Sequence, residues 1–150
     1  MSLLHTQESL VNSLRSYFAE RAGAFKIQMA FLYGSWSRGY PRFDSDIDIA
    51  IVLEDDDLSE EAIFDIINAL TLSLTGYLRA EVNVMTIGPE FAKPMLYYNA
   101  IILGKAVFIK DYVRYVNLIN EAIYQMEDFS IFGRTWQIMV AEKNLEALQA

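Results

Sequence analysis

The stretch FLYGSWSRGYPRFDSDIDIAIVLE, residues 31–54, decides the reading of this chain. It joins two apolar, strand-length runs, Ile27 to Tyr33 and Ile47 to Leu53, through a segment containing Gly34, Ser35, Gly39 and Pro41. Such residues turn a chain rather than extend it, so two strands with a turning connection are expected. Strand side chains alternate faces. Asp46 and Asp48 therefore point the same way, about 6.6 Å apart along the strand, while Ile47, Ile49 and Ile51 serve the opposite face.

That spacing has a chemical consequence. Two neighbouring carboxylates repel each other and raise each other's pKa, and a hard, oxygen-seeking cation such as Mg²⁺ neutralises both. At the end of the preceding strand, Gly34 allows the backbone to come close to a bulky anion, and Ser35 adds a hydroxyl and an amide donor. A short helix starting there would aim its positive end at phosphate oxygens. Arg38 supplies a cationic donor in the same loop, and Gly39, Tyr40 and Pro41 turn the chain back toward the second strand. Alone, a Gly-Ser pair is usually an ordinary turn and Asp-x-Asp an exposed strand face. Their conjunction at one spacing, each flanked by a strand, favours a functional site for a phosphate-bearing anion and a cation over those ordinary readings.

Outward from this core, residues 5–21 read as an amphipathic helix with Leu10, Leu14 and Phe18 at four-residue spacing, ended by Gly23. The acid run Glu54 to Asp57 reads as a solvated loop, in which Asp57 and Glu60 have the spacing of a capping box. Ile63, Ile66, Ile67, Leu70, Leu74 and Leu78 predict a helix over about 59–77, and Glu81 to Ile87 a third strand. Pro94 to Leu103 suits a helix with Pro near its first turn and Gly104 after its end, and Ala106 to Ile109 a short edge strand. From about residue 111 an aromatic-rich helical end is expected as two helices, Asp111 to about Glu127 and Phe132 to Leu148. Of its aromatics, Tyr112, Tyr115, Tyr124, Phe129, Phe132 and Trp136, most should be core and the remainder a partner or self-association surface.

The bulk properties narrow the function. One domain spanning residues 1–150 is expected from the length. With 53% hydrophobic and 21% charged residues the chain reads as globular, and no apolar run approaches a membrane span. His5, Gln7, Glu8 and Asn12 interrupt any apolar leader near the start, so a cytoplasmic protein is expected. The absence of cysteine rules out disulfides and thiolate chemistry, and the single histidine, His5, sits in an expected fraying end. A net charge of -8 argues against direct nucleic-acid binding, so an anionic ligand needs a metal or a local basic group.

Gly34-Ser35, ten intervening residues and then Asp46-Ile47-Asp48 resemble the signature of the DNA polymerase beta-like nucleotidyltransferase superfamily. More narrowly, size and layout resemble the minimal nucleotidyltransferase (MNT) antitoxins of HEPN/MNT toxin-antitoxin pairs. The resemblance implies an α+β fold, a small mixed sheet packed with helices, and two-metal Mg²⁺ chemistry with ATP as substrate. It implies that Asp46 and Asp48 hold metal, with Ser35 joining them in catalysis, and that Gly34, Ser35, Arg38 and Gly39 form the nucleotide-binding loop. The activity implied is transfer of AMP to a tyrosine of a HEPN-type toxin. The family places a third acid on the third strand, and here that position matches Asn83. An amide oxygen can coordinate Mg²⁺ but carries no charge and cannot act as a base. Glu81, two residues earlier on the same strand face, leaves a carboxylate within reach.

Two other functions compete with this one. The chain could be a binding module of the same fold that neutralises its partner by occupying it, with Asn83 marking decayed catalysis. It could also be an antibiotic nucleotidyltransferase, although such enzymes usually carry a second helical domain that 150 residues scarcely accommodate.

Overall fold

A computed structural model describes residues 6–37 and 46–149, the side chains of 128–137 and 148–149 excepted. Elements follow in the order α1 (Gln7–Arg21), β1 (Ile27–Tyr33), β2 (Ile47–Leu53), α2 (Glu60–Leu78), β3 (Val82–Thr86), α3 (Pro94–Tyr98), β4 (Lys105–Ile109) and α4 (Tyr112–Gln149). A 3₁₀ turn, Ala22–Phe25, follows α1, and a π-helical turn, Asn99–Leu103, follows α3. The strands form one mixed sheet in the order β3-β2-β1-β4. β1 pairs antiparallel with β2 and β4, and β2 pairs parallel with β3 through the α2 crossover. This is the expected α+β fold, with β4 on the edge.

Alternation along the strands divides the core in two. Ile47, Ile49, Ile51 and Leu53 join Ala30, Leu32 and Val82 against Leu10, Leu14 and Phe18 of α1 and Leu70, Leu74 and Leu78 of α2. Ala50, Val52, Met29, Phe31 and Ile87 face the other way, against Phe91, Tyr97, Ala100, Ile101 and Ala122. Asp48 is in phase with Ala50 and Val52, so it lies on this second face, where it is half-buried. Gly104 permits the tight return from the π turn into β4. A Cβ there would meet the Leu32 carbonyl oxygen at 2.6 Å and that of Ala100 at 2.3 Å.

α1 stops at Arg21 as expected, a 3₁₀ turn carries the chain through Gly23, and Lys26 takes the left-handed conformation (φ 55) before β1. Other sequence expectations require correction. Asp57 and Glu60 do not form a capping box, because Ser59 is the N-cap of α2, its Oγ accepting from Ala62 N at 3.1 Å. The acid run is more than a solvated loop. Glu54 pairs with Lys110 and Asp56 with Arg114, whose Nη1 also donates to Gln28 Oε1 and, at 3.3 Å, to the Leu53 carbonyl. Finally, the two expected C-terminal helices are one helix of 38 residues. Asp111 caps it as expected, with Oδ1 accepting from Val113 N at 3.0 Å and Arg114 N at 3.2 Å. No proline follows Pro94, so nothing in the chain removes a helical hydrogen bond between 112 and 149.

α4 spans roughly 57 Å at 1.5 Å per residue. Among the described residues it packs on the domain through Tyr115, Leu118, Ile119 and Ala122. Tyr112, Val113, Val116 and Tyr124 are exposed, and so are Ile138, Met139 and Leu145 farther along. The expectation that most of the aromatics are core therefore fails for Tyr112 and Tyr124, whereas Tyr115 is partly buried. The side chains of Phe129, Phe132 and Trp136 lie outside the described residues. Among the described residues no helix is long and apolar enough to cross a membrane.

Candidate active site

The site forms where β1 ends and β2 begins, because antiparallel pairing sets Tyr33 directly opposite Asp48. The chain leaves β1 through Gly34 at φ 76, a left-handed conformation that costs other residues energy. Space imposes a second restriction. A Cβ on Gly34 would lie 2.4 Å from Asp48 Oδ2, so glycine is what allows the loop to pass over the carboxylate. Ser35 lies half-buried in the turn that follows. Residues 34–37 form one hydrogen-bonded turn, in which Ser37 N and Oγ both donate to the Gly34 carbonyl, at 3.2 and 2.9 Å, and the expected short helix beyond it lies outside the described residues. Arg38 and Gly39, with the Tyr40-Pro41 turn, lie outside the described residues.

Parallel pairing of β2 with β3 brings Asn83 level with Asp48. The Asn83 amide bridges the two aspartates, Nδ2 donating to Asp46 Oδ2 at 3.2 Å and to Asp48 Oδ1 at 3.4 Å. Glu81 is exposed on the same strand edge, and its carbonyl accepts from Ile47 N at 2.9 Å. Its carboxyl shares a hydrogen bond with Asp46, and that contact and the Asp46 charge hold it above the usual carboxylate range. Burial raises the Asp48 pKa, the Asn83 hydrogen bond opposes the shift, and the Asp46 charge adds to it. Beside them, burial and then the Asp48 charge push the Tyr33 phenol up to about 12, so it stays neutral.

Gly34, Ser35, Asp46, Asp48, Asn83 and Glu81 thus come together at one end of the sheet. The clustered acids call for positive charge, and the Asn83 amide that bridges them is neutral and supplies none. Rotating the Asn83 side chain by half a turn presents Oδ1 to the same point, so two carboxylates and an amide oxygen fit a hard divalent cation. Among the described residues no three acidic or histidine side chains gather as a metal cage.

Two participants had escaped the sequence reading. Tyr33 could have been found from its place before Gly34 once the strand pairing was known. Gln7, at the start of α1, donates through Nε2 to the carbonyls of Trp36 and Ser37, at 2.9 and 2.6 Å. No local pattern signals a contact across 29 residues.

Residues 12–113 match the family described as "Polymerase beta, Nucleotidyltransferase". No curated protein matches the chain. Among solved structures, it is similar to a toxin-antitoxin crystallised with AMP-PNP, at 20% identity and a TM-score of 0.64, covering 87% of this chain and 97% of that one. It is also similar to a structure of the tri-AMPylated Shewanella oneidensis HEPN toxin in complex with MNT antitoxin, at 17% identity and a TM-score of 0.61, covering 87% and 98%. A third similar structure is the toxin-antitoxin MntA-HepT, at 18% identity and a TM-score of 0.55, covering 89% and 95%.

Proposed function

Because the chain belongs to the polymerase beta nucleotidyltransferase family, we propose that it transfers AMP from ATP to a tyrosine of a HEPN-type toxin and so acts as its antitoxin. The observation that carries this reading is the approach of Gly34 to Asp48, where a bare Cα brings the loop over a carboxylate pair. The phosphate-binding half and the cation-binding half of the site thereby adjoin. Likeness in fold to an antitoxin bound to AMPylated toxin supports the choice of acceptor.

In the proposed reaction the tyrosine oxygen attacks the α-phosphorus of ATP, an O–P bond forms, the bond to the β-phosphate oxygen breaks and pyrophosphate leaves. Bound Mg²⁺, in one or two ions, would neutralise the developing charge on the attacking and leaving oxygens. Asp46 and Asp48 would hold the metal, with Asn83 Oδ1 as a neutral donor. Gly34 and Ser35 would cradle the phosphates from the turn, with Arg38 and Gly39 continuing that loop. The phenol proton leaves to water as the O–P bond forms, and Glu81, exposed beside Asn83, would be a further oxygen donor to the metal. Incubating the chain and its partner with ATP and Mg²⁺ tests the proposal. Pyrophosphate release that needs both proteins supports it, and release unchanged when the partner is omitted opposes it.

Asn83 favours a second reading, in which the fold binds and occupies the toxin without modifying it. A neutral amide between two carboxylates weakens the pull on a second cation. A stable pair that consumes no ATP would identify this case.

A further inference from the structure

The contact between α1 and the loop after β1 has a role that neither the family match nor the site residues assign. The Gln7 side chain is the first of α1, and its single amide nitrogen reaches two successive carbonyls, Trp36 O and Ser37 O. An amide group has two hydrogens, so one side chain can satisfy both. Peptide groups are planar, so holding those two carbonyls fixes the planes of the two peptide units that follow Trp36 and Ser37. The other end of the turn is already fixed, since Ser37 N and Oγ both donate to the Gly34 carbonyl.

Gln7 is itself held in place. Thr6 caps α1, with Oγ1 accepting from Ser9 N at 3.0 Å, and in the next two turns Leu10 and Leu14 are fully buried in the core. A chain of fixed geometry therefore runs from the core through the first turn of α1 to the turn that passes over Asp48. Gln7 belongs to no catalytic pattern, and among the described residues its side chain bonds to carbonyls of the loop.

We infer that Gln7 is a positioning residue for the nucleotide loop, holding the Gly34–Ser37 turn in the shape that receives the triphosphate before ATP arrives. This rests on the proposed nucleotide site. A preformed cradle binds more tightly because the loop need not be ordered on binding. Loss of Gln7 should therefore appear in ATP affinity and KM, with kcat much less changed.

The test uses the full chain carrying Trp136→Phe, which leaves Trp36 as the only indole and places a reporter in the loop. Two quantities are measured for Gln7 and for the variants Gln7→Ala and Gln7→Lys: Trp36 anisotropy without nucleotide, and the midpoint of titration with AMP-PNP and Mg²⁺. Gln7→Ala should lower the anisotropy and move the midpoint about tenfold higher, and Gln7→Lys, which keeps a donor, should recover much of both. Unchanged anisotropy in Gln7→Ala would overturn the inference, because the loop would not depend on the contact. Lower anisotropy with an unmoved midpoint would also overturn it, leaving Gln7 a purely structural role. If the parent protein fails to bind AMP-PNP, the nucleotide site itself is refuted, and the anisotropy still reports whether Gln7 orders the turn.

Discussion

Replacing Gly34 by alanine separates damage to the site from damage to the fold. The left-handed backbone at φ 76 costs an alanine about 1 to 2 kcal/mol. The new Cβ would start 2.4 Å from Asp48 Oδ2, and ordinary contact begins near 3.4 Å, so the carboxylate must retreat by about 1 Å. The fold should tolerate this. For a chain of this size 1 to 2 kcal/mol lowers Tm by about 2 to 8 °C, leaving the protein folded at room temperature. Catalysis should not tolerate it, because a 1 Å misplacement of a group that positions reactants costs on the order of 10²-fold, or about 2.7 kcal/mol. The assay pairs a thermal melt with the initial rate of AMP transfer to the partner. Gly76→Ala serves as control: it lies inside α2 with nothing within 4 Å of its added Cβ, so it should raise stability by roughly 0.5 to 1 kcal/mol and leave the rate alone. A Gly34→Ala protein that transfers AMP within threefold of wild type would refute the reasoning, since Asp48 could then move without consequence.

Three further outcomes follow from the same geometry. If Glu81 serves where the family carries an acid at position 83, Glu81→Ala should slow transfer more than tenfold, and Asn83→Asp in that background should restore much of the rate, as read from the Mg²⁺ dependence of initial rates. Arg114→Ala removes the links to Asp56, Gln28 and the Leu53 carbonyl, and because the side chain is part-exposed the loss should be about 1 to 2 kcal/mol in a urea melt, with transfer unaffected. On the proposed partner reading, Val116→Asp with Ile123→Asp should abolish co-elution with the toxin while Tm stays within a degree or two, because both side chains are exposed on α4; undisturbed co-elution would place the interface elsewhere.

The sheet was legible because its strands carry their own signals. Ile27–Tyr33 and Ile47–Leu53 are apolar runs bounded by turn residues, and strand alternation alone set Asp48 apart from Ile47 and Ile49. The sequence suggests two helices because Ser130 and Gly133 are poor helix formers, yet neither removes a backbone donor, and the helix runs on through them. The capping error has a similar source. Asp57 and Ser59 both suit an N-cap, and the turn in which Asp57 N donates to Asp55 Oδ1 at 2.9 Å commits Asp57 elsewhere. At the site, strand alternation and the family pattern brought Asn83 to the aspartates, as the Asp48–Asn83 pairing shows, whereas the Gln7 contact depends on how α1 crosses the sheet, a tertiary fact with no local trace.

The most direct test of the account is the intact mass of the toxin partner after incubation with ATP and Mg²⁺, followed by peptide mapping. The account predicts added AMP on a tyrosine with the wild-type chain, and none with Asp46→Asn or Asp48→Asn, both of which should still bind the partner. A partner left unmodified by the wild-type chain, or modified equally by those two variants, would contradict it.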